Sequence, residues 1–70
     1  MPQIKAEMSG TITKVMVNKG AKVSAEQDVI GMESMKMEMF VQSPFAGSVT
    51  EIHVKVGDFV NEGDPLLTLS

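Results

Sequence analysis

The chain contains 70 residues with six lysines, nine acidic residues, no arginine and no cysteine, and its net charge is −3. A chain this short forms one domain whose small core leaves little room for a buried catalytic cavity, so we expect no enzyme. The acidic balance without arginine argues against a nucleic-acid partner, and no segment is apolar enough to span a membrane. The first residues, MPQIKAEMSG, lack the apolar region of a secretory signal, so we expect a cytoplasmic protein.

The first half of the chain predicts β-strands. Near Val15 and Val17, apolar and polar residues alternate up to Gly20, which is the period of a strand with one buried face. Glycine favours a turn at Gly20 because it adopts positive φ without steric cost. We therefore expect short strands separated by turns in this half.

The segment ESMKMEM, Glu33 to Met39, allows either a helix or a strand. Met32, Met35 and Met39 have helical spacing, whereas Met35, Met37 and Met39 alternate with polar residues at strand spacing. A helix would be isolated within β-structure, so the strand interpretation is favoured. The thioethers of these four methionines are also candidate ligands for Cu(I). Because no cysteine or histidine lies nearby in the sequence, we expect no metal site.

The second half of the chain continues the β pattern. Val49, Ile52, Val54 and Val56 include a run that alternates with polar residues, which predicts a half-buried strand. Gly57 then predicts a turn.

The two halves align without a gap at an offset of 37 residues. Residues 8–33 fall on residues 45–70, and glycines and apolar positions agree in this register. Neither half can bury its apolar face alone, so we expect a single domain over residues 1–70 with an all-β fold. This fold is a small flattened β-barrel or sandwich of two pseudo-twofold-related halves. The joint between the copies must reverse the chain, so we expect a β-hairpin with Met35 and Lys36 near its tip.

Lys36 is predicted to be an exposed acceptor of a chemical group. A lysine that catalyses through its own amine is usually desolvated or lies beside another cation. Lys36 has the opposite predicted environment, an exposed tip with Glu33 and Glu38 nearby. It is therefore suited to acylation by a partner enzyme that supplies an activated acyl donor.

The lysine segment and its flanking halves resemble the biotinyl domain family. ESMKMEM is similar to the attachment hairpin of these domains, in which a lysine between two methionines receives biotin. GDFVNEGDPLLTL (57–69) resembles the second-half signature of the family, and MSGTI (8–12) and PFAGSV (44–49) resemble its paired half-starts. The resemblance covers residues 4–70.

The resemblance implies a carrier rather than an enzyme. A biotin protein ligase would attach biotin covalently to Lys36. The flexible arm would then carry a carboxyl group between biotin carboxylase and carboxyltransferase subunits, which we expect to act in trans. The residues implied in ligase recognition lie on either side of the lysine: Met35 and Met37, and more weakly Glu33, Ser34 and Glu38.

Two alternatives to a biotin carrier remain. Lipoyl domains resemble this chain in placing a glutamate three residues before the lysine, as Glu33 is here, but they usually have aspartate immediately before it. Met35 and Met37 favour biotin, whereas Ser34 is closer to lipoyl domains, so lipoate attached by a lipoate ligase, or acceptance of both cofactors, is the first alternative. Such a carrier would serve acyl or aminomethyl transfer. The second alternative is an unmodified lipoyl-like interaction module, although those commonly lack an acceptor lysine.

Three further features differ from common members of the biotinyl family. The gapless offset leaves no room for the "thumb" insertion that some of them carry. Ala21 aligns with Asp58, and Glu26 stands where a turn glycine is expected. A residue other than glycine at a positive φ costs about 1 kcal/mol or more. Either Glu26 bears that cost or its turn is built differently.

Overall fold

The fold consists of β-strands, in a computed structural model that describes residues 2–70. Met1, where the predicted domain begins, lies outside the described residues. Eight strands follow one another along the chain: β1 Gln3–Lys5, β2 Gly10–Val15, β3 Lys22–Val23, β4 Asp28–Ser34, β5 Met37–Gln42, β6 Gly47–Ile52, β7 Phe59–Val60 and β8 Pro65–Leu69. The prediction of an all-β fold is thus confirmed.

Residues 2–70 contain no helix. The helical alternative for ESMKMEM is therefore wrong: the segment forms the end of β4, a turn and the start of β5. Pairing with neighbouring strands decides this, because short runs of methionine and glutamate suit either structure. Consistent with this, the described part of the chain offers no helix long and apolar enough to cross a membrane.

The strands form two four-stranded antiparallel sheets. The first sheet has the order β1-β8-β6-β3, and the second has the order β5-β4-β2-β7. Most connections therefore cross from one sheet to the other. Within residues 2–70, β4 and β5 are the only strands that are both neighbours in the chain and partners in a sheet. The resulting hairpin joins the two halves of the molecule, as predicted.

The two sheets are built with the same register. Residue pairs that match at the 37-residue offset are Ile12–Met32 with Val49–Leu69, and Val15–Ile30 with Ile52–Leu67. The register irregularities of β2 and β6 also coincide, at Thr13 and Thr50. The predicted pseudo-twofold arrangement of the halves is thus confirmed, and these pairings leave no insertion between matching strands.

The core lies between the two sheets and takes side chains from both. Its fully buried members share apolar character and come mainly from the long strands: Ile12, Val29, Ile30, Met32, Val49, Leu66, Leu67 and Leu69. Ile4, Val17, Val23, Val41 and Val60 close its edges. Burial of apolar area between the sheets supplies most of the stability of such a small domain. Each sheet on its own would leave its apolar inner face in contact with water.

Strand β6 is shorter than the predicted alternation. The pattern extends to Val56, but β6 ends at Ile52. Beyond it, His53 still donates its backbone N–H to the Leu66 carbonyl at 2.9 Å, and Val54 packs partly against the core. Val56 is exposed in the loop before Gly57. The sequence alternation therefore continues past the end of β6 because Val54, outside the strand, is still partly buried against the core.

The turn at Glu26 has the same backbone geometry as its counterpart in the second half. Glu26 has a φ of 68°, and Gly63 has a φ of 91°. The Glu26 N–H donates to the Ser43 carbonyl at 2.6 Å, and the Gly63 N–H donates to the Ala6 carbonyl at 2.8 Å. These hydrogen bonds maintain the turn, so Glu26 bears the steric cost of a left-handed conformation, about 1–2 kcal/mol.

Candidate functional site

A two-residue turn joins β4 to β5 and contains the candidate lysine. Ser34 pairs with Met37 across the hairpin, and Met35 and Lys36 form the turn. Both turn residues have positive φ, 55° for Met35 and 64° for Lys36. Positive φ at both central residues is the requirement of a type I′ turn, whose twist matches that of the flanking strands. The strands therefore stay paired up to the turn, and the predicted position of Lys36 at a hairpin tip is confirmed.

The residues at the tip are exposed. Met35 is 90% exposed, Met37 is 66% exposed, and Lys36 is also exposed. Over residues 2–70 the only approach of a basic side chain to a carboxylate within 4.0 Å joins His53 to Glu51, so no carboxylate of the described chain lies within that distance of the Lys36 amine. The amine is consequently accessible to another molecule without the disruption of an internal contact.

Glu33 and Glu38 lie directly opposite each other on the hairpin. Like charges in this arrangement disfavour the pairing of two strands. The Thr13 hydroxyl donates a hydrogen bond of 3.0 Å to Oε2 of Glu38, which links β2 to β5 across β4. The structure thus places the two acids together beside the turn, although neither forms an ion pair with Lys36 in the described chain.

The base of the hairpin is held firmly by β2. Gly10 lies so close to β4 that a Cβ atom there would be 2.6 Å from the Glu33 carbonyl oxygen and 2.9 Å from Cε of Met32. Met32 itself is buried in the core and pairs with Met39. The exposed tip thus follows directly on a strand that is packed tightly against β2 up to Glu33, two residues before the turn.

The outer face of the hairpin carries an aromatic contact. The ring of Phe40 lies over Gly31, where a Cβ atom would be 3.4 Å from the ring. The amine of Lys14 lies 5.7 Å from the centre of the same ring, within the range of a cation–π interaction. This contact packs β5 against β2 across a glycine that offers no side chain of its own.

No large exposed apolar side chain of residues 2–70 lies on a strand of the first sheet. Four of these side chains belong to the second sheet or its hairpin turn: Met35, Met37, Phe40 and Phe59. The other three lie in connections between the two sheets: Met8, Met16 and Val56. The first sheet differs at matching positions, because the 37-residue offset aligns Phe59 with Lys22 and Val56 with Lys19. By strand alternation, Phe40 and Phe59 lie on the outer face of this sheet, whereas Met37 lies on the same side of its strand as the buried Val41.

Sequence reasoning did not identify Phe40, Val56 or Phe59 as residues of a candidate contact surface. The signal available in the sequence was the difference between the aligned halves: Lys19 and Lys22 in the first half align with Val56 and Phe59 in the second. Its meaning depended on knowing that Phe59 belongs to the same sheet as the hairpin, and β7 joins that sheet by pairing with β2 at Gly10 and Thr11.

A shallow cleft of about 320 Å³ lies beside β7 and the start of β8, lined in part by His53, Asp58 and Phe59. The His53 ring lies 2.7 Å from the Thr68 hydroxyl, so one of its nitrogens is occupied. None of the hairpin residues lines this cleft. Within the described residues, no three His, Cys, Asp or Glu side chains converge as metal ligands. Burial of Met32 also separates it from Met35 at the exposed tip.

The arrangement is suited to receiving an acyl group rather than to catalysing a reaction. An exposed primary amine projects from a turn whose base is anchored, and within residues 2–70 no buried histidine or carboxylate lies beside it as a general base. The chemistry of acylation would therefore come from a second protein. The recognition roles predicted for Met35, Met37, Glu33, Ser34 and Glu38 stay predictions.

Comparison with known proteins identifies a family over almost the whole chain. The family profile described as "Biotin-requiring enzyme" matches residues 1–69. The chain is 45% identical over 67 residues to the biotin/lipoyl attachment protein of Bacillus subtilis, and the alignment covers 96% of this chain and 92% of that protein. It is 48% identical over 65 residues to the biotin carboxyl carrier protein of Streptococcus mutans, covering 93% of this chain and 50% of that carrier.

Similarity also extends to a lipoyl protein and to a carboxylase of known structure. The dihydrolipoyllysine-residue acetyltransferase component of pyruvate dehydrogenase complex from Haemophilus influenzae is 51% identical over 59 residues, covering 84% of this chain and 10% of that protein. The crystal structure of the Kluyveromyces lactis urea carboxylase superposes with a TM-score of 0.91 at 33% identity, covering 99% of this chain and 6% of that one. The chain thus spans half or less of these three longer relatives and nearly all of the Bacillus subtilis protein.

Proposed function

The chain belongs to the biotin/lipoyl attachment family, and we propose that it is a carrier that is covalently biotinylated on Lys36 and serves a carboxylase. The observation that carries this proposal is the placement of Lys36 in a two-residue turn between β4 and β5, exposed and without an ion pair in the described chain. The name of the Streptococcus mutans relative, a biotin carboxyl carrier protein, supports the same function.

Attachment requires an amide bond to the Lys36 amine. A biotin protein ligase presents an activated carboxyl group, the Nζ lone pair attacks its carbonyl carbon, and the activating group leaves while the amine loses a proton to the ligase or to solvent. The chain contributes access and position. Its amine is exposed, and the anchoring of Met32 and Gly10 below the turn limits the volume that the tip can explore.

A carrier needs a firm base and a mobile arm. The hairpin supplies the base, and the lysine side chain supplies rotatable bonds that extend the reach of the attached group. Biotin supplies a ring nitrogen that accepts and releases a carboxyl group. We assign the two catalytic steps to biotin carboxylase and carboxyltransferase subunits, and we assign the carrier to the cytoplasm.

The exposed residues around Lys36 fit a role in ligase docking. Met35 and Met37 present apolar surface next to the amine, and Phe59 is exposed on the outer face of the same sheet. Glu33, Ser34 and Glu38 add polar contacts, with Glu38 positioned by the Thr13 hydroxyl. Apolar and aromatic side chains commonly carry most of the binding energy at such surfaces.

Lipoate on Lys36 is the second candidate function. The similarity to a biotin/lipoyl attachment protein and to a dihydrolipoyllysine-residue acetyltransferase favours it. Such a carrier would be charged by a lipoate ligase and would transfer acyl or aminomethyl groups. Both cofactors attach through the same amide bond, so the geometry of Lys36 suits either.

The proposal is tested by intact mass measurement after charging with biotin ligase and, separately, with lipoate ligase. The expected result is one biotin increment that peptide mapping places on residues 33–39, and its loss in Lys36→Arg, which keeps the charge and length of the side chain. Circular dichroism should show the same fold for this variant. A lipoyl increment without biotin would replace the first candidate by the second. Attachment that persists in Lys36→Arg would overturn the site.

A further inference from the structure

We propose that Met35 and Met37 are a reversible oxidation site at which hydroperoxides suppress charging of Lys36; the effect on charging rests on the proposed function. The two methionines are the neighbours of Lys36 in the chain. They are 90% and 66% exposed, compared with 48% for Met16, 39% for Met8 and 1% for Met32. The most accessible thioethers of residues 2–70 therefore lie on either side of the candidate attachment lysine.

The chemistry needs only a hydroperoxide such as hydrogen peroxide. The thioether sulfur donates its lone pair to one peroxide oxygen, the O–O bond breaks, and the other oxygen leaves as water after proton transfer. The methionine is oxidised by two electrons to its sulfoxide, and the peroxide is reduced. Because the chain contains no cysteine, its thioethers are the only sulfur atoms available for this reaction. A methionine sulfoxide reductase reverses it: a dithiol supplies two electrons and two protons and becomes a disulfide, and the sulfoxide oxygen leaves as water.

Oxidation at these two positions would change the surface but not the fold. A sulfoxide at Met35 or Met37 remains hydrated, because both side chains already lie in solvent. The same change at Met32 would place a polar group in the core and would destabilise the domain. Selective oxidation should therefore convert the apolar surface beside Lys36 into a polar one while the hairpin stays intact.

The first step of the test is a time course of the uncharged protein in hydrogen peroxide, read by peptide mapping. Met35 and then Met37 should be oxidised ahead of Met16 and Met8, with Met32 the slowest. Oxidation of Met16 or Met8 at the same rate as Met35 would overturn the site. This readout does not depend on any ligase, so it stands even if the proposed function fails.

The second step compares biotin ligase rates before and after peroxide. We expect a loss of about fivefold or more when both methionines are oxidised, equivalent to loss of a moderate apolar contact. Treatment with methionine sulfoxide reductases A and B should restore the rate, and the thermal midpoint should stay unchanged. An untreated protein that biotin ligase cannot charge would overturn the proposed function instead, and the lipoate ligase rate would then be read in the same way.

Matched variants separate this site from general damage. The double variant Met35→Leu/Met37→Leu keeps apolar side chains and should retain its charging rate after peroxide. The control Met8→Leu/Met16→Leu should lose its rate as the unaltered protein does. Peroxide sensitivity that persists in the first variant would overturn the proposal.

Discussion

Met35 and Lys36 are consecutive residues that both have left-handed backbone conformations, at φ values of 55° and 64°. Each L-residue in this region costs about 1–2 kcal/mol relative to the right-handed region. Asparagine and glycine are the residues that usually fill such a turn because they bear little of this cost. The hairpin therefore retains two costly residues at the tip of a small domain, which is the pattern expected where a side chain is needed for function.

Replacement of Met35 by asparagine should stabilise the fold. Asparagine tolerates positive φ, so we expect Met35→Asn to raise the free energy of unfolding by about 1 kcal/mol, and the thermal midpoint by about 4–8 °C. Differential scanning calorimetry measures the change. The control Met37→Asn lies at a strand position and should bring no gain. An unchanged midpoint in Met35→Asn would show that the strain of the turn resides elsewhere.

Replacement of Met35 by aspartate should shift the preference for cofactor. Aspartate at the position before the lysine is the arrangement that lipoyl domains usually have, and aspartate also tolerates positive φ. We expect Met35→Asp to favour lipoate ligase over biotin ligase by at least about tenfold in relative rate, which corresponds to 1.4 kcal/mol of transition-state free energy. Parallel charging assays with both ligases give this ratio. The same ratio in the variant and the original would argue against recognition through Met35.

The turn at Glu26 offers a stabilising substitution outside the hairpin. Glu26→Gly should raise the free energy of unfolding by about 0.5–1 kcal/mol, because relief of the positive φ exceeds the entropic cost of glycine. The reverse change, Gly63→Glu, should lower it by a similar amount at the matching turn. Urea denaturation of both variants measures the two effects. Destabilisation by Glu26→Gly would indicate a contact of the Glu26 side chain that outweighs its backbone strain.

Phe59 provides a test of the apolar surface on the second sheet. Phe59→Lys copies the residue that the first sheet carries at the matching position, Lys22, and Phe59 is 65% exposed. We expect the thermal midpoint to change little, since exposed substitutions usually alter stability by less than about 0.5 kcal/mol. The kcat/KM of biotin ligase for the carrier should fall by about fivefold or more, as for the loss of an aromatic contact.

The control for this surface lies on the opposite sheet. Lys22→Ala alters an exposed residue of β3 and should leave the ligase kinetics unchanged. Equal kcat/KM values for Phe59→Lys and the original protein would remove Phe59 from the docking surface. A loss in Phe59→Lys together with a gain in Lys22→Ala would point to general electrostatics instead, because the two variants change the net charge by one unit in opposite directions.

The sequence by itself determined the fold class and the position of the lysine. The 37-residue offset aligned the halves, and strand periods in both predicted paired sheets joined by a hairpin at Met35 and Lys36. These features are local, since side-chain alternation and glycine placement follow from backbone geometry alone. For the same reason the sequence could not set the end of β6, where Val54 continues the alternation after the strand has ended.

The tertiary structure decided which residues share a surface and how strain is distributed. Only strand order shows that Phe59, Thr11, Glu33 and Glu38 lie across one sheet, because β7 reaches it from the other half of the chain. Only the pairing of the strands on both sides of the turn shows that Met35 and Lys36 adopt positive φ, at positions where asparagine and glycine are the usual residues. Such properties depend on contacts between residues distant in the sequence, so they emerge when the two sheets pack and cannot be read from either half alone.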